Sequence, residues 1–123
     1  MSFQIITLGC KVNAYESEFM LEELKRSGYL YDEKNPDIII INTCSVTNMS
    51  DRKSRKLVHK ARREHEKAIL VVVGCSAQNH QEDYQKMGID ILIGNKNKSK
   101  IVTIIEDYLY THKPYVYFTK DRC

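Results

Sequence analysis

Apolar residues in this chain follow two rhythms that alternate along its length. Short, nearly continuous apolar and β-branched runs at Phe3–Leu8, Asp37–Asn42, Ala68–Val73 and Ile89–Ile93 read as strands, the central ones buried on both faces. Between them the spacing widens to the helical repeat. Asn13 reads as an N-cap with Glu16 as its capping-box partner. The helix that follows runs to about Ser27, with Tyr15, Met20, Leu21 and Leu24 as its core face and Gly28 as its stop. A second helix is expected over about Ser50–Glu66, with only a narrow apolar stripe of Leu57, Val58 and Ala61. A third is expected near Gln81–Met87, closed by Gly88. The last carries Ile101, Ile104, Ile105, Tyr108 and Leu109, a full helical face.

Strand and helix in strict alternation predict an α/β fold. The expected architecture is a flavodoxin-like three-layer sandwich on a mainly parallel sheet of four to five strands, in the order 2-1-3-4. With 123 residues the chain is expected to hold one domain, residues 1–111. Residues 112–123, with Pro114 and the alternating Tyr115 and Tyr117, read as a linker or an edge segment. No apolar run approaches the roughly 18 residues needed to span a bilayer. The start, Met1-Ser2-Phe3-Gln4, has no basic or apolar leader pattern. No membrane partner is expected, and the expected location is the cytoplasm.

The formal net charge of +3 is small, but it is unevenly spread. Asp51–Lys67 holds eight basic and three acidic residues, a local +5 against −2 for the remainder. Arg52, Arg55, Lys56, Arg62 and Arg63 are therefore candidate contacts to RNA phosphates. A solvated outer helix face explains the same residues, and no aromatic side chains are interleaved for base stacking.

The cysteines carry the candidate chemistry. Cys10, Cys44 and Cys75 each follow the end of an expected strand, 34 and 31 residues apart, about one strand–helix unit each. In an open parallel sheet the carboxyl ends of the strands form the ligand crevice. With the first strand between the second and third, neighbours about 4.8 Å apart would bring three thiols to one small volume. Gly9 and Gly74 would let the backbone turn close to whatever is held there. Asn13, Asn42 and Thr43 cluster beside the cysteines and are candidate surroundings of that site. Three thiolates suit a soft metal, either zinc or an iron–sulfur cluster. A cubane cluster ordinarily takes four cysteines, so three would leave one iron open. Cysteine is also a common small core residue, but that reading does not explain three at consecutive strand ends.

Other chemistries are excluded by residue type. A phosphatase loop needs an arginine where Glu16, Ser50 and Gln81 stand. A receiver domain needs acids where Gly9 and Cys10 stand. No CxxC pair, phosphate-binding glycine loop or Ser/His/Asp arrangement is present; the four histidines read as surface residues, with His80, close to Cys75 in sequence, a lesser candidate for a fourth ligand.

Three ordered motifs carry a resemblance. They are Thr7-Leu8-Gly9-Cys10-Lys11-Val12-Asn13 with Glu16-Ser17-Glu18, Asn42-Thr43-Cys44-Ser45-Val46-Thr47, and Val73-Gly74-Cys75-Ser76-Ala77-Gln78. Together they resemble the amino-terminal domain of the radical S-adenosylmethionine methylthiotransferases over about residues 3–110. Asn42–Asn48 with Asp51–Arg55 is most similar to the tRNA enzymes acting on N6-threonylcarbamoyladenosine beside the anticodon. Sister branches modify isopentenyladenosine in tRNA or an aspartate of a ribosomal protein.

The resemblance implies that Cys10, Cys44 and Cys75 hold an auxiliary [4Fe–4S] cluster whose open iron binds the sulfur to be delivered. It implies a second [4Fe–4S] cluster and S-adenosylmethionine in a radical domain, and tRNA as the substrate. The CxxxCxxC of a radical domain is missing from this sequence, and Cys123 has no assigned role. The chain is therefore expected to be a fragment that binds a cluster, or has lost it to oxygen, without turning over. An isolated domain also exposes a docking surface on which a homodimer could form. The competing expectation is a non-catalytic flavodoxin-like RNA-binding or signalling module that uses the 52–63 helix.

Overall fold

The structure is a computed structural model that describes residues 2–7, 11–43, 48–74, 89–93, 100–111 and 115–117. The elements are β1 (Ser2–Thr7), α1 (Lys11–Arg26), β2 (Leu30–Tyr31), β3 (Ile38–Thr43), α2 (Asn48–Glu64), β4 (Ile69–Gly74), β5 (Ile91–Ile93), α3 (Ile101–Thr111) and β6 (Tyr115–Tyr117). They form one parallel sheet in the order β2-β1-β3-β4-β5-β6.

The alternation of side chains along each strand sorts the core into two layers. Phe3, Ile38, Ile40, Val71, Val73, Ile91 and Ile93 face α1 and α3, where they meet Met20, Leu24, Ile101, Ile104 and Ile105. Ile39, Ile41, Leu70, Val72 and Leu92 face the other way, onto Val58 and Ala61 of α2. Ile38–Ile41 are all at most 1% exposed, which is why that run has no polar alternation. The expected α/β, flavodoxin-like sandwich is this arrangement.

The flavodoxin-like order 2-1-3-4 is met with the two-residue β2 as its second strand. The expectation that the Phe3–Leu8 strand lies between the Asp37–Asn42 and Ala68–Val73 strands is corrected, since β3 pairs with both β1 and β4. No apolar run marks β2, because an edge strand is covered on neither its outer edge nor much of its face; Leu30 is 71% exposed. The run at residues 38–43 is thereby the middle of the sheet, between β1 and β4. β6 adds the opposite edge.

Two expectations for α1 need correction. The helix is already formed at Lys11, so Asn13 lies within its first turn and is not the N-cap. Tyr15 is 76% exposed and takes no part in the core. The buried face is Ser17, Met20 and Leu24, with Leu21 packed partly against it. Counting back from Leu24 at the helical repeat reaches residue 17, not 15.

The expected stop at Gly28 is a Schellman turn. Tyr29 N–H donates to Leu24 O and Gly28 N–H to Lys25 O, both at 3.1 Å. Gly28 has φ +97°, which L side chains rarely adopt. The turn brings buried Tyr29 back against Leu24. The expected helix near Gln81–Met87 lies outside the described residues.

Candidate metal centre and basic helix

All strands are parallel, so their carboxyl ends share one edge of the sheet. At that edge β1, β3 and β4 are immediate neighbours, with Thr7 opposite Asn42 and Thr43 opposite Gly74. The last residue of each strand lies just before a cysteine in sequence. Thr7 is three residues ahead of Cys10, Thr43 one ahead of Cys44, and Gly74 one ahead of Cys75. The three strands thus hand the chain on at adjacent positions about 4.8 Å apart. The four cysteines themselves lie outside the described residues, as do Gly9 and the side chains of Asn13, Thr43 and Arg52. Among the described residues no group of His, Cys, Asp or Glu could hold a metal ion.

A polar knot sits at this edge, with Ser17 and Asn42 buried and Thr7 exposed. Asn42 is fully buried, and its Nδ2 donates to Ser17 Oγ at 3.0 Å. Ser17 Oγ lies 2.6 Å from Thr7 Oγ1. Asn42 is a candidate surrounding of the cysteine site, and its described partner is Ser17. From sequence, Ser17 has a place in the Glu16-Ser17-Glu18 motif but no role at the site. The signal was available, since Ser17, Met20, Leu21 and Leu24 stand at i, i+3, i+4 and i+7. A small polar residue in an apolar stripe is easily passed over.

The opposite edge is built around Asp90. Its Oδ2 accepts Arg62 Nη2 at 2.9 Å and Leu70 N–H at 3.0 Å, and its Oδ1 accepts the Tyr108 hydroxyl at 3.1 Å. Arg62 also donates through Nη1 to the carbonyls of Glu66 and Ala68. One carboxylate therefore ties α2, β4 and α3 together. Burial, then the Asp90 charge and hydrogen bond, raise the Tyr108 pKa above its ordinary value, while Arg62 acts against this.

The structure thus separates the basic residues of α2. Arg62 is engaged at the Asp90 edge, while Lys56, Lys60 and Arg63 are exposed. Arg55 is partly buried. The helix begins at the cysteine edge and ends at the Asp90 edge, since the chain must return before β4. A groove of about 410 Å³ near Asp37, Arg63, His65 and Lys67 lies at that far edge, away from the cysteine-bearing end.

A family model described as "Uncharacterized protein family UPF0004" matches residues 2–94. The chain belongs to this family. The UPF0004 match takes in all three candidate cysteines and α2, and leaves out α3, β6 and Cys123.

The relatives of this UPF0004 chain bear out the methylthiotransferase resemblance. A Bacillus subtilis (strain 168) protein named threonylcarbamoyladenosine tRNA methylthiotransferase MtaB is 37% identical over 111 residues, 88% of this chain and 25% of the relative. An Aquifex aeolicus protein of the same name is 37% identical over 106 residues, 84% and 26%. A Thermosipho africanus protein named tRNA-2-methylthio-N(6)-dimethylallyladenosine synthase is 33% identical over 108 residues, 86% and 25%. The chain spans about a quarter of the length of the curated relatives it matches. Among the described residues, no helix is long and apolar enough to cross a membrane.

Proposed function

We propose that this UPF0004 domain is the auxiliary-cluster part of a tRNA methylthiotransferase, with Cys10, Cys44 and Cys75 as the ligands of a [4Fe–4S] cluster. The observation that carries the proposal is the adjacency of β1, β3 and β4, whose ends lead directly to the three cysteines. The donor set fits: three thiolates are the ligand type that iron–sulfur clusters take. When bound, such a cluster offers one iron with no protein ligand, where an exogenous sulfur can sit. The protein's part is to hold three thiolates on a rigid sheet edge. Gly9, Gly74, Asn13, Asn42 and Thr43 are on this reading assigned as the surroundings of the site. On this reading the second [4Fe–4S] cluster and S-adenosylmethionine belong to a radical domain outside these 123 residues. The substrate is a modified adenosine beside the anticodon of tRNA, and this chain alone does not turn over.

Anaerobic reconstitution with iron and sulfide tests the proposal. The parent chain is expected to take up about four irons with visible cluster absorption. Cys10→Ala, Cys44→Ala and Cys75→Ala are each expected to lose the cluster, and Cys123→Ala to keep it. A parent chain that takes up no iron overturns the proposal.

The basic helix supports a second reading, RNA contact. Lys56 and Lys60 are exposed, and Lys56 is about 12 Å along the helix from its start at the cysteine edge. A non-catalytic RNA-binding or signalling module would bind RNA equally well with all three cysteines removed.

A further inference from the structure

We infer that Ser17 is a positioning residue for the two segments that carry Cys10 and Cys44. The inference rests on the cluster proposal above. Ser17 occupies a core position of α1 and is 7% exposed. An alanine or leucine there would continue the apolar stripe with no polar group to satisfy. A buried hydroxyl and a buried amide are costly unless they bond each other. Here they do, Asn42 Nδ2 to Ser17 Oγ at 3.0 Å, with Thr7 Oγ1 at 2.6 Å from the same hydroxyl.

The three partners come from three elements, each close to a cysteine in sequence. Thr7 ends β1 three residues before Cys10, Asn42 lies two before Cys44, and Ser17 follows Cys10 by seven on α1. One hydroxyl thus joins the end of β1, the body of α1 and the end of β3. Backbone ladders are weakest at strand ends, where opening is least costly. A side-chain bridge across the last rung, Thr7 opposite Asn42, closes that end. Ligand sites need such support, since a site about 1 Å too loose fails.

The test compares reconstituted parent, Ser17→Ala and Asp90→Ala chains for the rate of iron release to a chelator and for the electron paramagnetic resonance spectrum of the reduced cluster. Asp90→Ala loosens the opposite edge of the same sheet and controls for lost stability. Ser17→Ala is expected to release iron about tenfold faster with an altered spectrum, at the lower end of what supporting-shell changes cost metal sites. Asp90→Ala is expected to match the parent in both.

If Ser17→Ala does not fold, Thr7→Val and Thr7→Ser carry the test. The valine is expected to release iron faster, and the serine, which keeps the hydroxyl, to match the parent. A parent that binds iron while the hydroxyl-deleting variant behaves like it overturns the inference alone. So does an Asp90→Ala that releases iron as fast as Ser17→Ala. A parent that binds no iron overturns both the inference and the cluster proposal.

Discussion

Removing the Asp90 carboxylate should be among the more damaging single changes outside the apolar core. Asp90→Ala strips the acceptor from three donors at once: Arg62 Nη2, the Leu70 N–H and the Tyr108 hydroxyl. Leu70 is 1% exposed. A buried donor left without its acceptor costs about 1–3 kcal/mol. The Arg62–Asp90 pair is partly screened, its side chains being 26% and 24% exposed, so it contributes about 1 kcal/mol or less. The tyrosine hydroxyl adds about 0.5–1 kcal/mol. Water entering the space offsets some of this, giving a loss of about 2–4 kcal/mol. Against a total stability of about 5–15 kcal/mol, that is a large fraction. The thermal midpoint should fall by about 10 °C. Urea unfolding followed by far-ultraviolet circular dichroism measures the loss, and an unchanged slope certifies that stability alone has moved. Tyr108→Phe removes one of the three contacts and should cost no more than about 1 kcal/mol. An Asp90→Ala loss within about 0.5 kcal/mol of zero would refute the reasoning, as would Tyr108→Phe costing as much as Asp90→Ala.

Three further outcomes are expected. Burial first, and then the charges of Glu106, Glu33 and Asp90, raise the pKa values of Tyr29, Tyr31 and Tyr108 respectively. Above the unfolded tyrosine value of about 10 the folded state therefore keeps more protons. Stability from these groups is fully present below that pH and declines as pH rises through the folded values. Unfolding series at increasing alkalinity, with tyrosinate absorbance, should show this, and Tyr108→Phe should lessen the slope. On α1, Met20→Ala should cost about 2–5 kcal/mol, whereas Tyr15→Ala should stay within about 0.5 kcal/mol; equal losses would mean that the buried face is misassigned. If α2 contacts RNA, Lys56→Glu and Lys60→Glu should each weaken binding and reduce the salt slope by about 0.7–0.9. Arg62→Met should lower stability and leave that slope unchanged.

Much of the architecture was legible in residue patterns. Ile38–Ile41 announced a strand buried on both faces, because no polar residue interrupts it. Ile101, Ile104 and Ile105 announced the buried face of α3, and Gly28 the end of α1. Other features were not legible. Leu30–Tyr31 is a strand only because it pairs with Ser2 and Phe3. Tyr15 looked like a core residue by composition and is exposed by phase. Arg62 looked like one member of a basic run. Only its meeting with Asp90, 28 residues away, shows that its charge is spent inside the molecule.

The division has a physical cause. Strand and helix periods, turn glycines and the recurrence of cysteine after three strands are local properties, written along the chain within one strand–helix unit. They were enough to predict an α/β sheet with its candidate ligands at one end. Which strands are neighbours, which helix face turns inward and which polar groups find partners are set by long-range packing. β3 lies between β1 and β4, and Ser17 meets Thr7 and Asn42, because residues 10 and 25 apart in sequence are brought together across three elements. Tertiary structure alone decided those contacts, since a hydrogen bond between distant residues forms only once the sheet has set their separation.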